Sequence, residues 1–238
     1  MARPRTALWR DRTARRVRKL ADVIAMPPPA DQLRRQVGGN WDVIGPMQLE
    51  YLTSEGLRPE HVMLDVGCGT LRGGIHFVRY LDDGNYYGID INPEMLEGGR
   101  HELELAGLAD RTATLRTTDT FAADFDRPFD FALALSVFTH VPLNSVQLCL
   151  MNLSEQLAPG GRFYATFFRC PDGKERREPI QQPAAEGFSS PRTFCDRNNF
   201  HYSFSDLEFA ARGLPLLVED VGDWGHPRGQ QMARFTRS

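Results

Sequence analysis

A glycine-rich turn between two short apolar runs limits the folds open to this chain. The first run, residues 62–66, leads into Gly67 and Gly69, and the second, residues 86–90, ends at Asp90. Glycine lets a ligand approach backbone amides closely, and a carboxylate at the tip of the second strand can accept hydrogen bonds from two ribose hydroxyls. The pattern predicts two buried strands whose ends form a nucleoside site.

Apolar runs alternate with amphipathic segments along the chain, which predicts a parallel sheet joined by right-handed crossovers. The predicted strands cover residues 61–66, 86–90, 113–118, 129–136, 161–168, 216–221 and 231–235. The predicted helices cover residues 72–80, 93–106, 143–157 and 205–212. A further helix is expected before them, with Pro46 in its first turn and Gly56 at its end. At 238 residues, the chain has room for one doubly wound α/β domain.

Charge divides the chain into a basic arm, residues 1–37, and an acidic body, residues 38–238. Residues 1–35 contain ten Lys or Arg and three Asp or Glu, although the whole chain has a net charge of −3. Apolar residues at helical spacing predict a basic amphipathic helix in the arm, followed by a stiff linker of three prolines. Such a helix docks weakly on an anionic membrane surface or a partner, or packs on its own domain. The acidic body argues against a nucleic-acid substrate.

An insertion, residues 169–203, interrupts the alternation of strands and helices. It is polar, contains several prolines and is too long for an ordinary connection. Long loops near strand ends often form lids or bind substrate, and a plain surface insertion is the alternative. We predict a substrate or lid segment here.

Cysteine usage and hydropathy indicate a protein of the cell interior. The four cysteines, at positions 68, 149, 170 and 195, show neither close pairing nor the spacing of a zinc site. The sequence contains no run of about 18 apolar residues that could span a membrane, and its arginine-rich start lacks the apolar core of a signal peptide. We therefore expect a cytoplasmic location.

Five motifs occur in an order and spacing that one enzyme family shares. They are DVGCG at residues 65–69, an acid at 90, an acid at 119, FDFALALS at 129–136 and LAPGG at 157–161. The chain thereby resembles the class I S-adenosylmethionine-dependent methyltransferases over about residues 38–238. It is also similar to a bacterial branch with Gly-Cys-Gly-x-Leu-Arg-Gly-Gly and a terminal His-Pro-Arg-Gly-Gln, found here at residues 67–74 and 226–230. The resemblance implies a Rossmann-like, seven-stranded sheet with its last strand antiparallel.

The resemblance also implies which residues hold S-adenosylmethionine. The methionine portion would contact Asp65, Gly67 and Gly69, the ribose would contact Asp90, and Ser136 would lie beside the sulfur. The adenine would contact Asp119, Thr120 and Phe121. Further cofactor contacts are expected from Cys68, Ile91 and, on the helix that covers the site, Gln48. Leu71 stands where many members carry a third glycine, so we expect the turn to be reshaped and cofactor binding to be retained.

Three histidines are candidates for a general base, namely His140, His201 and His226. Histidine exchanges a proton near neutral pH, and an alcohol attacks poorly until a base takes its proton. His140 follows the predicted fourth strand, whereas the other two lie on loops near strand ends. Local packing or a cofactor contact is the alternative role for His140.

The predicted function is methyl transfer from S-adenosylmethionine to a small-molecule acceptor. In-line displacement at the methyl carbon is expected, at an oxygen of a saccharide or secondary metabolite. No metal is expected, because no cluster of acids follows the fourth predicted strand. A nicotinamide-dependent oxidoreductase is one alternative, although Arg72 occupies the third glycine position of a G-x-G-x-x-G turn. A non-catalytic module that binds S-adenosylmethionine is the other.

Overall fold

The computed structural model describes residues 30–36, 38–171 and 177–238. The predicted basic helix and proline linker of the arm lie outside these residues. The helices are α1 (Ala30–Gln36), α2 (Trp41–Ser54), α3 (Gly74–Tyr80), α4 (Pro93–Leu105), α5 (Leu143–Gln156) and α6 (Phe204–Ala210). The strands are β1 (Met63–Val66), β2 (Tyr86–Asp90), β3 (Ala113–Thr117), β4 (Phe129–Ala134), β5 (Leu157–Arg169), β6 (Ile180–Gln181), β7 (Arg192–Thr193), β8 (His201–Tyr202), β9 (Leu216–Asp223) and β10 (Gln231–Arg237).

One large sheet organises the described part of the chain, with the strand order β3-β2-β1-β4-β5-β10-β9. The first five of these strands run parallel, and β10 pairs antiparallel with both β5 and β9. The short β8 also pairs with β5, at Phe168 and Arg169. The predicted doubly wound fold with an antiparallel last strand is confirmed. Because the strand order reverses between β1 and β4, the loops after these strands open onto one crevice.

Two apolar clusters bury the sheet on both faces. Leu64 and Val66 belong to one cluster, whereas Met63 and Cys68 belong to the other, and all four residues of β1 are buried. A strand that is buried on both faces is a nearly continuous apolar run, which is why residues 62–66 were recognisable in the sequence. The packing holds the carboxyl end of β1, and therefore the glycine turn, in a defined position.

Helix α2 begins earlier than the sequence predicted. Its first residue is Trp41, so Pro46 lies inside the helix instead of in its first turn. Proline has no backbone N–H and leaves the carbonyl four residues earlier, that of Asp42, without its helical partner. Asp42 is exposed, so water can bond this carbonyl, and the amides of Val43 and Ile44 both bond to the carbonyl of Asn40.

The last residues of the arm pack on the body. Arg34 donates from Nε and Nη2 to the two carboxylate oxygens of Glu102 on α4, at 2.7 and 2.6 Å. Glu102 is buried, and so is the neighbouring Leu33. None of the described helices is long and apolar enough to cross a membrane.

The insertion folds back on the end of the sheet. Strands β6 and β7 form a two-stranded antiparallel sheet, and β8 extends the main sheet at β5. The side chain of Gln182 donates to the carbonyl of Arg169 at 3.1 Å, and the amide of Ala185 donates to the carbonyl of Pro227 at 2.7 Å. The insertion is therefore tied to the terminal His-Pro-Arg-Gly-Gln segment.

Candidate functional site

A cavity of about 640 Å³ lies across the carboxyl ends of β1 to β4. Residues that follow these strands line it, together with residues of α2, of the insertion and of the terminal segment. Its volume is within the range of small-molecule and cofactor sites, which lie at such topological switch points in open α/β sheets. Ser189, Pro191 and Asn199 are the lining residues from the insertion.

The turn after β1 relies on left-handed backbone conformations. Gly67 has a φ of 70° and Gly69 a φ of 54°, values that side chains disfavour. Leu71 also has a positive φ, 62°, with its side chain fully buried, so the turn continues and α3 begins at Gly74 instead of residue 72. A Cβ on Gly73 would lie 2.5 Å from Oε1 of Gln48. Glycine at this position thus lets Gln48 of α2 pack against the turn.

Cys68 lines the cavity within this turn. Burial raises the pKa of its thiol well above the ordinary value, and the nearby Asp65 and Asp90 raise it further. The thiol therefore stays protonated at neutral pH, which favours a packing contact over a nucleophile.

Asp65 places a buried carboxyl group on the cavity wall. It is 4% exposed and accepts a hydrogen bond from the Tyr86 hydroxyl at 2.8 Å. Burial raises the pKa of Asp65 to about 7, against the lowering effects of the Tyr86 hydrogen bond and of Arg72. A cationic group in the cavity would favour the ionised carboxylate, because opposite charges stabilise each other in a poorly solvated site.

Asp90 is held by backbone amides at the end of β2. One of its oxygens accepts from the amide of Gly69 at 2.9 Å, and the other accepts from the amide of Asn92 at 2.9 Å. These bonds orient the carboxylate beside the glycine turn and leave lone pairs on both oxygens. Asp90 lines the cavity, so it can accept hydrogen bonds from the hydroxyl groups of a ligand.

The far end of the cavity is formed by loops after β2 and β3. Ile91, Asp119 and Phe121, three of the expected cofactor contacts, line it. Thr120 is not among the lining residues, and its carbonyl accepts from the side chain of Asn152 at 2.6 Å. Met95 of α4 also lines the cavity, and the sequence reasoning missed it. A methionine on a helix has no local signal that distinguishes a ligand contact from core packing.

Ser136 connects the end of β4 to the terminal segment. It has a φ of 60°, and its amide donates to the Thr166 hydroxyl at 2.7 Å. Its Oγ lies 3.0 Å from Oε1 of Gln230 and 2.9 Å from Nε2 of the same side chain. Gln230 is buried and lines the cavity. The sequence marked it only as the last residue of the terminal motif and did not predict a site contact.

His140 is the candidate base with the clearest geometry. It lines the cavity, and its Nδ1 lies 2.6 Å from Oδ1 of Asn198, an oxygen that accepts hydrogen bonds. In the neutral ring this contact keeps the proton on Nδ1 and leaves Nε2 as the basic nitrogen. The insertion, which supplies Asn198, therefore orients the histidine.

The other two histidines occupy different environments. His201 is 2% exposed, its Nδ1 lies 3.0 Å from the Thr193 hydroxyl, and it is not among the cavity-lining residues. His226 does line the cavity, and its Nδ1 accepts from the backbone amide of Arg228 at 3.2 Å. Burial, together with the nearby Arg72 and Arg228, lowers the pKa of His226 to about 3. These surroundings keep His226 neutral and oppose the uptake of a proton.

Comparisons with known proteins agree with this arrangement. Residues 64–163 match the family model described as "Methyltransferase domain". Magnesium protoporphyrin IX methyltransferase from Synechocystis PCC 6803, solved with bound S-adenosylmethionine, is 15% identical, with a TM-score of 0.60 over 89% of this chain and 93% of that chain. DesVI from Streptomyces venezuelae is 19% identical, with a TM-score of 0.59 over 87% and 96%. CalS10, an amino pentose methyltransferase from Micromonospora echinaspora involved in calicheamicin biosynthesis, is 17% identical, with a TM-score of 0.60 over 87% and 96%.

Identities this low establish a shared fold, and the family match adds the class of enzyme for the segment from β1 to β5. Together they support a methyltransferase domain at residues 64–163 with S-adenosylmethionine as its cofactor. The residues present fit this cofactor. A buried carboxyl group, Asp65, suits its ammonium, and an anchored carboxylate, Asp90, suits its ribose. Both line the same cavity beside the turn of Gly67 and Gly69.

Proposed function

We propose that this chain methylates an oxygen atom of a small molecule, a saccharide or another secondary metabolite. The observation that carries the proposal is that one cavity contains Asp65 and Asp90 together with His140, whose ring is oriented by Asn198. Similar structures include an amino pentose methyltransferase and a magnesium protoporphyrin IX methyltransferase, and both of these names describe small acceptors. A cavity of about 640 Å³ suits an acceptor of moderate size beside the cofactor.

The proposed division of labour follows from the side chains around the cavity. Asp65, Asp90 and the turn at Gly67 would hold S-adenosylmethionine, which supplies an electrophilic methyl group when bound. Much of the acceleration would come from positioning, because an in-line displacement needs the two reacting atoms close and aligned. Nε2 of His140 would take the proton from the acceptor hydroxyl, and Asn198 would stabilise the resulting imidazolium through its bond to Nδ1.

Calorimetry and turnover together test the proposed function. The protein should bind S-adenosylmethionine and S-adenosylhomocysteine but not NAD, and it should release S-adenosylhomocysteine with at least one acceptor in a panel of saccharides and hydroxylated metabolites. Binding of NAD without binding of S-adenosylmethionine would favour the oxidoreductase alternative. Tight binding of S-adenosylmethionine with no transfer to any acceptor would favour the non-catalytic module.

Replacement of His140 should separate catalysis from cofactor binding. We expect His140→Gln to lower kcat by about 100-fold, because general base catalysis typically contributes that much or more. The matched control is His101→Gln, an exposed position on α4, which should behave as the wild type. Full turnover by His140→Gln at every pH would show that another group, or none, acts as the base.

A further inference from the structure

Three nitrogen-rich side chains share one part of the cavity wall, and the proposed mechanism does not use them. Arg72 comes from the turn after β1, and His226 and Arg228 come from the terminal segment. A Cβ on Gly38 would lie 3.2 Å from Nη1 of Arg228 and 3.8 Å from Nη1 of Arg72, so both guanidinium groups reach the same point. We call Arg72, His226 and Arg228 the cationic cluster.

The backbone supplies much of the bonding within the cationic cluster, and carbonyl groups do not cancel its charge. Nη1 of Arg72 donates to the carbonyl of Gly39 at 2.9 Å, and Nη2 of Arg228 donates to the carbonyl of Gly38 at 2.8 Å. Arg228 has no carboxylate within ion-pair distance among the residues that the structure describes. Burial and the nearby Arg228 lower the pKa of Arg72 to about 10, against the raising effect of Asp65. The positive charge of Arg228 is therefore one that an anion would neutralise.

His226 adds a hydrogen-bond donor that has no acceptor. Its Nδ1 accepts the amide proton of Arg228, so the proton of the neutral ring is on Nε2. Nε2 is buried with no hydrogen-bond partner among the described residues, and so is Nε of Arg228. His226 as a whole is 5% exposed. Buried donors normally have partners, because leaving one unpaired costs about 1–3 kcal/mol. A ligand oxygen would satisfy both nitrogens.

The position of the cationic cluster favours the acceptor over the cofactor as the source of that oxygen. His226 and Arg228 lie outside residues 64–163, the segment that matches the methyltransferase family model. Gly229, the residue after Arg228, packs on the insertion, because a Cβ there would lie 2.6 Å from the carbonyl oxygen of Pro183. Gln230, two residues after Arg228, bonds to Ser136, the residue expected beside the sulfur. The terminal segment that carries His226 and Arg228 thus also contacts the residue expected beside the sulfur.

We propose that the methyl acceptor carries a carboxylate or phosphate group, which Arg72, His226 and Arg228 bind. This inference rests on the proposed function and specifies the class of its acceptor. Arginine suits such groups because its planar donors pair with two anionic oxygens at once. The α-carboxylate of S-adenosylmethionine has the same chemistry, so the experiment must distinguish the two sources.

Anion binding to the protein saturated with S-adenosylhomocysteine makes that distinction, because the cofactor carboxylate then occupies its own site. The probes are inorganic phosphate and acetate, titrated while backbone amide resonances are observed. We expect millimolar binding by the wild type and a loss of about tenfold or more for Arg228→Gln, since a charge-assisted bond is removed. The affinity for S-adenosylhomocysteine should stay within about threefold of the wild type. The control is Arg58→Gln, at an exposed ion pair away from the cavity.

Two results would overturn the inference. One is the absence of phosphate and acetate binding by the saturated wild type. The other is a tenfold or larger loss of S-adenosylhomocysteine affinity in Arg228→Gln with unchanged anion binding, which would assign the cationic cluster to the cofactor carboxylate. Failure of the wild type to bind S-adenosylhomocysteine at all is a different outcome. It would remove the proposed function, and with it the acceptor role of the cluster, even if the protein alone bound phosphate.

Discussion

Asp90→Asn is expected to weaken the binding of S-adenosylmethionine by about 100-fold, the equivalent of one strong charge-assisted hydrogen bond. Both oxygens of Asp90 accept backbone amides, from Gly69 and from Asn92. Asparagine has one acceptor oxygen, and its NH2 group would face the other amide donor. The variant would therefore lose the ribose contact and also loosen the glycine turn that holds the rest of the cofactor. Titration calorimetry with S-adenosylmethionine measures the change.

Asp130→Asn is the matched control for this prediction. Oδ2 of Asp130 accepts the amide of Val62 at 2.8 Å, which is the same kind of bond, but Asp130 does not line the cavity. The control should lose some stability and keep its affinity for S-adenosylmethionine. An Asp90→Asn protein that binds with the wild-type dissociation constant would show that the ribose is held elsewhere.

Asp65→Asn should make the cofactor-free protein more stable at pH 8 and less able to bind its cofactor. Burial raises the pKa of Asp65 from 3.8 to about 7 in the folded state. Between these values the folded protein keeps a proton that the unfolded chain releases, so stability is full below about pH 4 and falls as the pH rises through 7. A pKa shift of this size lowers the free energy of unfolding at pH 8 by about 4 kcal/mol relative to pH 4. Asparagine removes the ionisation and can still accept the hydrogen bond of Tyr86.

Urea denaturation between pH 4 and 8 measures this effect as the difference between the variant and the wild type. The difference should be small at pH 4 and should grow towards pH 8 in favour of Asp65→Asn. Asp83→Asn supplies a control of opposite sign, because the amide of Thr112 lowers the pKa of the exposed Asp83 carboxyl group. That variant should be less stable than the wild type throughout this pH range. The difference should vanish only when the pH falls well below 3.8, the ordinary pKa of the group. Parallel curves for Asp65→Asn and the wild type would mean that the pKa of Asp65 is the same in the folded protein as in the unfolded chain.

The same carboxyl group is expected to link stability to function. An ionised Asp65 suits the ammonium of S-adenosylmethionine, whereas the cofactor-free protein destabilises that charge by burying it. Asp65→Asn should therefore reduce cofactor affinity while it raises stability. This trade-off is expected where a site keeps a buried charge for a ligand.

Several features of the fold could be predicted from short stretches of sequence. The bounds of β2 are the predicted ones, because a buried strand between polar turns has a clear apolar pattern. The start of α2 was predicted wrongly, because the pattern could not show that the chain accepts Pro46 inside a helix that begins at Trp41. The glycines at 67 and 69 marked the turn correctly. The sequence showed Leu71 only as a departure from the family's glycine pattern and did not predict its left-handed backbone. The side chain of Leu71 is fully buried in the core.

The roles of the histidines depended on long-range contacts. Nothing near His140 in the sequence announces Asn198, which is 58 residues away and orients the ring. The low pKa of His226 results from burial and from nearby arginines, one of which, Arg72, is far away in the sequence. His201 had the same local signals as the other two, but the pairing of β8 with β5 puts it in the interior. A histidine becomes a base, a donor or a core residue through neighbours that its own segment does not contain.

Local patterns along the chain were sufficient for the parallel sheet, the glycine turn and the acids at strand ends, because each depends on residues that are near one another in sequence. Residues of the cavity that follow β1 and β2 could be named from the sequence for the same reason. Only the tertiary structure brought the turn at Arg72, the insertion at Asn199 and the terminal segment at Arg228 to one cavity. These segments are far apart in the chain, and their charges and hydrogen bonds acquire a function only where the fold places them together.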